Sequence, residues 1–550
     1  MPADPRAPVA ILWHMHQPEY RVEGIPALPW AYLHGLRAYT DMASHLEAVP
    51  EARAVVNFSP VLLDQLLELA QQAQAALAHG TPPSEPLMAA LLAPPPRAMR
   101  VHLLEICLHG HQRNAKYRYE EYYRLAVEVS AALDAGEAAV SSLPEQSITD
   151  MVIWYHLIWL GESVRRTDSR AIALMVHRRN FSTEHRVSLL TLVADLLSGI
   201  VPRYRALGDS GQVELSMSPY FHPILPLLVD FESAREAAPG VPLPASSYPG
   251  GRDRALWHLR KGQELFWEVF GIRPRGCWPS EAAVSQDTAA LLQSAGFTWF
   301  ASSQSVQRAS TPKAADRDAT DSCVCRLQGI PLVGFFRDDG LSDNIGFTYK
   351  DWEPQHAVAD LVDHLDSLSK RRNGQVVVLA LDGENPWEYY ADNGIDFVRG
   401  LYLALTTHPR LRMTTFANHL DENPAALPEL PSLSAGSWVY GQLLTWIGSS
   451  SKNHAWDLLI EAKRCFDAST HPSPSAQRAM GVCEGSDWFW WPGMPHPGAA
   501  VAEFDHLFRA HLKALYRALG TEPPEALNHP LQFAASNAEA SPLGAMLPSC

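Results

Sequence analysis

A chain of 550 residues with 47% hydrophobic content can bury a large core and, by length, allows about two to four domains. Its net charge of −16 argues against a nucleic-acid groove or an anionic membrane surface as partner, and leaves a neutral or cationic ligand. The seven cysteines have no framework or zinc-site spacing, and Cys323 and Cys325 are too close for an ordinary bridge, so free thiols in a reducing compartment are expected.

The N-terminus lacks a secretory design, and no 18-residue apolar run is evident in the sequence. A cytoplasmic protein without a membrane span is expected. Val9–His16 reads as a first strand, with His14 and His16 on one side of it. They suit ligand contact, metal ligation or hydrogen bonding in a core. Ala54–Phe58 is a second strand. Residues 61–205 carry helical periodicity and are too long for one crossover, so they read as a helical insertion. Within them His109-Gly110-His111-Gln112 echoes His14-Met15-His16-Gln17, but no strand precedes it and no site is expected there.

Gln212–Met217 alternates as a half-buried strand. It presents Glu214 and runs into Ser218-Pro219-Tyr220-Phe221-His222-Pro223. After a Pro/Ser/Gly loop, Asp253–Phe270 reads as a helix closed by Gly271. Gly276-Cys277-Trp278-Pro279-Ser280-Glu281 then leads into a helix at Ala282–Gln293. Glu281 suits a helix start, where the dipole favours an acid, yet Trp278 beside it points to a site. Phe297–Ser302 and Leu332–Phe336 are further strands, separated by a polar stretch, Gln304–Asp321, expected as a loop.

Gln375–Tyr390 begins as the apolar run Val376–Leu381, expected as a strand buried on both faces. It ends in Asp382, Glu384 and Glu388, with Trp387, Tyr389 and Tyr390 beside them. Chemistry gathers at the C-terminal ends of parallel strands. Acids among flat rings there suit a sugar. About seven strands interleaved with helices favour a (β/α) barrel or a doubly wound sheet. Helices are expected to dominate from Asp396, with an acidic-aromatic run at Glu484–Trp491, an amphipathic helix at Phe504–Leu519 and a loosely ordered tail from about residue 530. The sixteen tryptophans lie mostly near these candidate sites.

Five stretches in this order resemble the five sequence regions of glycoside hydrolase family 57: His16-Gln17-Pro18, Gly211–Glu214, Trp278–Glu281, Asp382-Gly383-Glu384 and Glu484–Trp488. The texture of HMHQPEY, GFFRDDGLSDNIGF, LDGENPWEYY and EGSDWFWW is most similar to its amylopullulanase and α-amylase branch. The resemblance runs from about residue 9 to 520. It implies an incomplete (β/α)7 barrel over residues 1–400, including the insertion at 61–205. A helical region over 401–530 would complete the active site, followed by a tail at 531–550. It implies retaining cleavage of α-1,4 glucosidic bonds in starch, glycogen, pullulan or maltodextrins, with α-1,6 cleavage left open. Glu281 would be the nucleophile and Asp382 the general acid/base, about 5–5.5 Å apart in such enzymes, with Asp382 holding a proton through a raised pKa. His14, His16, Glu214 and Glu384 would hold the sugar, Trp278 and Trp490 would stack on it, and Asp487 would orient it.

No cofactor or metal is called for by this reading. The loop Pro492–Gly498 is less acidic than the resemblance leads one to expect, which leaves chain-length preference open. The same carboxyls would serve a 4-α-glucanotransferase or a branching enzyme, where a sugar hydroxyl replaces water. Two other classes compete. A zinc-dependent carbohydrate deacetylase or mannosidase-like enzyme would use His14, His16 and Asp382 as ligands, and a glucan-binding protein would use the same fold without turnover. Oligomeric state is not fixed by the sequence.

Overall fold

The computed structural model describes residues 6–109, 118–311, 323–372, 375–423, 427–493 and 498–531. Its main sheet has strands β1 (Ala7–Met15), β2 (Ala54–Phe58), β3 (Val213–Met217), β4 (Gly276–Cys277), β5 (Trp299–Ser303), β6 (Val324–Leu327), β7 (Val333–Arg337), β8 (Val377–Asp382), β9 (Leu411–Thr414) and β10 (Glu429–Leu430). The order across it is β8-β1-β2-β3-β4-β5-β7-β6-β10, with β9 also on β1. Every pairing is parallel except β6 with β7. All nine residues of β1 and all six of β8 are buried, as apolar runs must be when helices cover both faces of a parallel sheet.

The sheet curls. Asp338, just past β7, donates its backbone N–H to the Val378 carbonyl of β8 at 2.8 Å, and Arg337 donates to the Ala380 carbonyl at 3.2 Å. Seven parallel strands from β8 round to β7 thus form the incomplete (β/α)7 barrel. Register places His14 beside Asp382 and Asn57 beside His14, so the chemistry-bearing residues collect at one edge.

Helices fill the space between β2 and β3, as periodicity predicts. Helix α1 (Pro60–His79) opens with proline and closes at left-handed Gly80. Helix α2 (Thr183–Asp209) is 27 residues long. Contrary to the reading that no such span exists, it is long and apolar enough to cross a membrane. Here it packs Leu189, Leu190, Val193 and Leu197 into the core and pairs Arg203 with Glu47 at its outer side. Helix α3 (Gly251–Phe270) follows β3. Over the strand ends lie α4 (Ser450–Ala468), α5 (Pro474–Cys483), α6 (Asp487–Trp490) and α7 (Gly498–Ala518).

Two expectations change. The main sheet does not stop at residue 400, because β9 pairs with β1 and β10 with β6; four-residue and two-residue strands carry too little pattern to stand out. Gln304–Ser310 is a helix capped by Ser303, where polarity suggested a loop. The tail after residue 531, His111 and residues 494–497 of the Pro492–Gly498 loop lie outside the described residues.

Candidate active site

A cleft opens where the ends of β1, β7 and β8 meet the C-terminal helices. His14, His16, Glu281, Asp382, Glu384 and Asp487 line it, with Trp438, Trp490 and Trp491 on the apolar side. Deep, half-apolar clefts with a few converging polar groups are where small ligands bind.

His14 ends β1. Its Nδ1 lies 2.7 Å from Asn57 Oδ1, an acceptor that already takes the Ser218 hydroxyl. Nδ1 therefore carries the hydrogen, and Nε2 is left as an acceptor. Burial, then neighbouring His16, lowers its pKa to about 3, so the ring is neutral. His16 meets Ser59 Oγ through Nδ1 at 2.8 Å and Asp487 through Nε2 at 3.2 Å. His222 stacks on His16 with centroids 3.7 Å apart. Burial, then His16 and His14, holds it neutral as well.

Glu281 follows β4 in a short turn where it takes φ 57°, ψ 27°. A side chain in this left-handed region is disfavoured, and such residues gather at functional sites. The turn is pinned: Ala282 N–H donates to the Pro279 carbonyl at 2.7 Å, Trp438 N–H donates to the Glu281 carbonyl at 3.3 Å, and Ser302 Oγ donates to the Ala282 carbonyl at 2.8 Å. The carboxyl receives the Trp438 indole N–H at 3.0 Å and stands 3.9 Å from His222 Nδ1. Burial, then the charge of Asp382, raises its pKa to about 8.

Asp382 ends β8, and Asn385 donates to it at 3.1 Å. Burial raises its pKa to about 6, against the lowering influence of Asn385, His16 and Arg337. Gly383 lets the chain turn there, since a Cβ would lie 2.2 Å from Met15 Sδ. Glu384 Oε1 accepts from the His16 N–H, Gln17 and the Tyr39 hydroxyl at 3.1–3.3 Å. Its Oε2 is buried without a partner, and burial, then Asp382, raises its pKa well above the usual range. Glu388, the third acid of this run, turns away to Arg37 at 2.5 Å.

Seven of the nine expected site residues thus share the cleft. Glu214 does not. It lies near the start of β3, three residues before the strand's chemistry-bearing end, with Trp299 Nε1 and the Ala417 N–H on its two oxygens at 2.8 and 2.7 Å. Trp278 is 0% exposed. It packs behind His14 and edge-on to Trp438, so it supports the wall instead of offering a stacking face.

Sequence reasoning passed over His222, Trp438 and Arg337. His222 could have been found, since it follows β3 as His16 follows β1. Arg337 ends β7, stacks 5.1 Å from Trp438 and binds Asp339 and Asp343. Trp438 arrives from a long irregular stretch that carries no periodic signal.

The zinc set His14, His16, Asp382 is not the cluster that forms. Ligand atoms of His16, His222 and Asp487 lie within 4.8 Å of one another. However, the His16 and His222 rings are nearly parallel, 21° apart and stacked. One ion about 2.0–2.1 Å from both nitrogens would sit far out of both ring planes, so the rings as placed do not fit it.

A curled parallel sheet with two buried carboxyls beside neutral His14 and His222 and indoles at its C-terminal edge has the make-up of a sugar-cleaving enzyme. The profile of glycosyl hydrolase family 57 matches residues 10–431, and the chain belongs to that family. No curated protein matches it. The chain is similar in fold to the branching enzyme of Thermococcus kodakaraensis, with 15% identity, a TM-score of 0.58, and coverage of 93% of this chain and 90% of that one. It is also similar to the α-amylase AmyC of Thermotoga maritima, at 13%, 0.56, 95% and 96%, and to the 4-α-glucanotransferase of Thermococcus litoralis, at 12%, 0.52, 93% and 60%.

Proposed function

We propose that this protein is a retaining α-glucan hydrolase that cuts α-1,4 bonds through a covalent glycosyl-enzyme, with Glu281 as nucleophile and Asp382 as general acid/base. The observation that carries the reading is the carboxyl pair in one cleft: both pKa values are raised, to about 8 and about 6. Near neutral pH such a pair holds one proton, which is what double displacement needs.

In the empty cleft the proton rests on Glu281, because its surroundings are the more dehydrating. A glycosidic oxygen beside Asp382 gives that carboxyl the better use for the proton, and the Trp438 N–H steadies the Glu281 carboxylate left behind. Glu281 then attacks the anomeric carbon as Asp382 protonates the departing oxygen. Water, activated by Asp382, completes the cycle. His14 Nε2 accepts a hydroxyl of the sugar, Glu384 Oε2 meets another, Asp487 orients the ring through His16, and Trp490 stacks on it. All six cysteines among the described residues are free thiols, and five of them are buried, which supports a cytoplasmic site of action.

Product analysis on soluble starch and pullulan tests this, with Glu281→Gln as control. Short maltooligosaccharides from starch, absent with the control, are expected. Redistributed chain lengths without new reducing ends would instead identify a 4-α-glucanotransferase or branching enzyme. A wild type that is inert on both substrates would remove the glucan reading.

A further inference from the structure

Strand β7 ends in Arg337, beside a gap in the ladder of the curled sheet. Among the described residues, β8 pairs with β1 but not with β7. Single hydrogen bonds bridge this seam. The Asp338 N–H reaches the Val378 carbonyl at 2.8 Å, the Ala380 N–H reaches Ser342 Oγ at 3.2 Å, and Arg337 Nη1 reaches the Ala380 carbonyl at 3.2 Å. Ala380 stands two residues before Asp382 on β8. The seam is therefore tied beside the strand end that carries the proposed acid/base.

Arg337 is 6% exposed and lines the cleft. Its Nε donates to Asp339 at 3.1 Å and its Nη2 to Asp343 at 2.8 Å. Asp339 is anchored in turn by the Ser305 N–H and hydroxyl, at 3.0 and 2.7 Å. One face of the guanidinium covers Trp438, 5.1 Å from the ring centroid. Trp438 donates its indole N–H to the Glu281 carboxyl at 3.0 Å and its backbone N–H to the Glu281 carbonyl at 3.3 Å. An unbroken line of contacts thus joins β8, Arg337, Trp438 and Glu281. A planar fork holds three oxygens in its plane and still offers a face to an indole, which an ammonium or an amide does not. Closing the seam needs only the bond to Ala380. The stacked indole and the two acids that orient the fork are left over from that task.

We infer that Arg337 is a positioning residue: it holds Trp438 and β8 at a fixed spacing, and so holds Glu281 and Asp382 at the separation that double displacement needs. This rests on the roles proposed above for the two carboxyls. Retaining chemistry tolerates little error in that separation, because one carboxyl must reach the anomeric carbon while the other reaches the departing oxygen. Strand pairing alone does not fix it. Glu281 stands in a turn past β4, and Asp382 ends a strand whose side toward β7 carries no ladder. Arg337 spans both uncertainties with one rigid, buried group.

The test measures kcat and KM on maltoheptaose, together with thermal melts, for wild type, Arg337→Lys, Arg337→Gln and Asp343→Ala. Arg337→Lys keeps the charge and loses the fork. Both Arg337 variants are expected to lose about a hundredfold in kcat, the scale of an ångström of misplacement, with KM within about threefold of wild type. Asp343→Ala removes one of the two acids that orient the guanidinium, and should lower kcat by less at a similar KM. Wild-type kcat in Arg337→Lys overturns the proposal, since charge alone would then suffice. So does a raised KM with kcat kept, which would make Arg337 a direct contact of the sugar. So does a lower melting temperature with kcat kept, which would leave Arg337 as a bond across the seam and nothing more. Should the Arg337 variants fail to fold, Asp343→Ala decides: a lower kcat at constant KM upholds the proposal, and an unchanged kcat overturns it. A wild type that does not cut maltoheptaose overturns the glucan reading itself, and is recognised before any variant is compared.

Discussion

Glu281 and Asp382 are dehydrated by the same cleft, and their titrations set the working range. In the roles proposed for them, no nucleophile exists below about pH 6, where both carboxyls are protonated, and no acid remains above about pH 8, where both are ionised. A bell-shaped kcat/KM with limbs near 6 and 8 is expected in a pH–rate series on starch oligosaccharides. The same burial acts on stability. A carboxyl whose folded pKa is raised from 4.5 to about 8 contributes stability that is complete below 4.5 and lost as pH rises through 8. Glu281→Gln should therefore be inactive yet melt higher than wild type above pH 8. The gap is on the order of a few kcal/mol, since one pKa unit is worth about 1.4 kcal/mol. Thermal melts at pH 5 and pH 9 check it, with the gap expected only at the higher pH. At this scale the sequence was most legible where a side chain ends a strand, as His14, His16 and Asp382 do. It misled at Glu214, because a motif letter does not say which end of the strand it occupies.

Among elements, the helices over the cleft are tied down by two buried ionisable side chains outside the proposed chemistry, Glu484 and Lys452. Glu484, between α5 and α6, is fully buried and meets Arg254 at 2.7 Å, His258 Nε2 at 2.8 Å and the Tyr248 hydroxyl at 2.5 Å. His258 Nδ1 accepts the Phe221 N–H, so Nε2 is the donor to Glu484. Burial pushes the carboxyl pKa upward, but Arg254 and His258 hold it down to about 2. Its contribution is present above pH 4.5 and lost as pH falls through 2. Glu484→Ala strands Arg254 in the interior and should lower stability by about 3–5 kcal/mol in urea unfolding at pH 7. Lys452, on α4, donates to the Thr445, Phe489 and Trp490 carbonyls at 2.5, 2.8 and 3.1 Å. It thereby fixes the backbone that carries Trp490. Lys452→Met leaves those carbonyls unpaired, at about 1–3 kcal/mol each, and should raise KM for maltooligosaccharides several-fold more than it lowers kcat. Steady-state kinetics on a folded variant decides it. The run Glu484–Trp491 stood out as an acidic-aromatic stretch, but the split between anchoring Glu484 and cleft-lining Asp487 was not legible, because both are acids in one short motif.

Across the whole molecule, the parallel sheet and its helical cover were readable from alternating apolar runs and periodic helices. The short strands β6, β9 and β10 were not, being two to four residues long and held by pairing instead of pattern. Trp438 belongs to the same class: its position is set by a bridge between Val284 and Gly436, a contact that no local window contains.

Strand β1 is the first in the chain, yet it lies between partners drawn from far along it. Leu12–Met15 pair with Val55–Phe58, Val9–His14 with Val377–Asp382, and Ala7–Ala10 with Leu411–Thr414. During synthesis β1 leaves the ribosome with two of its three neighbours still unmade. Its apolar edge must stay unpaired while most of the chain is added, at about 5–20 residues per second. Late, long-range closure makes folding slow and leaves that edge open to other chains. A fragment ending before β8 is therefore expected to collect in the pellet, whereas the full chain stays in the supernatant. A centrifugation assay of both, expressed side by side, reads this directly.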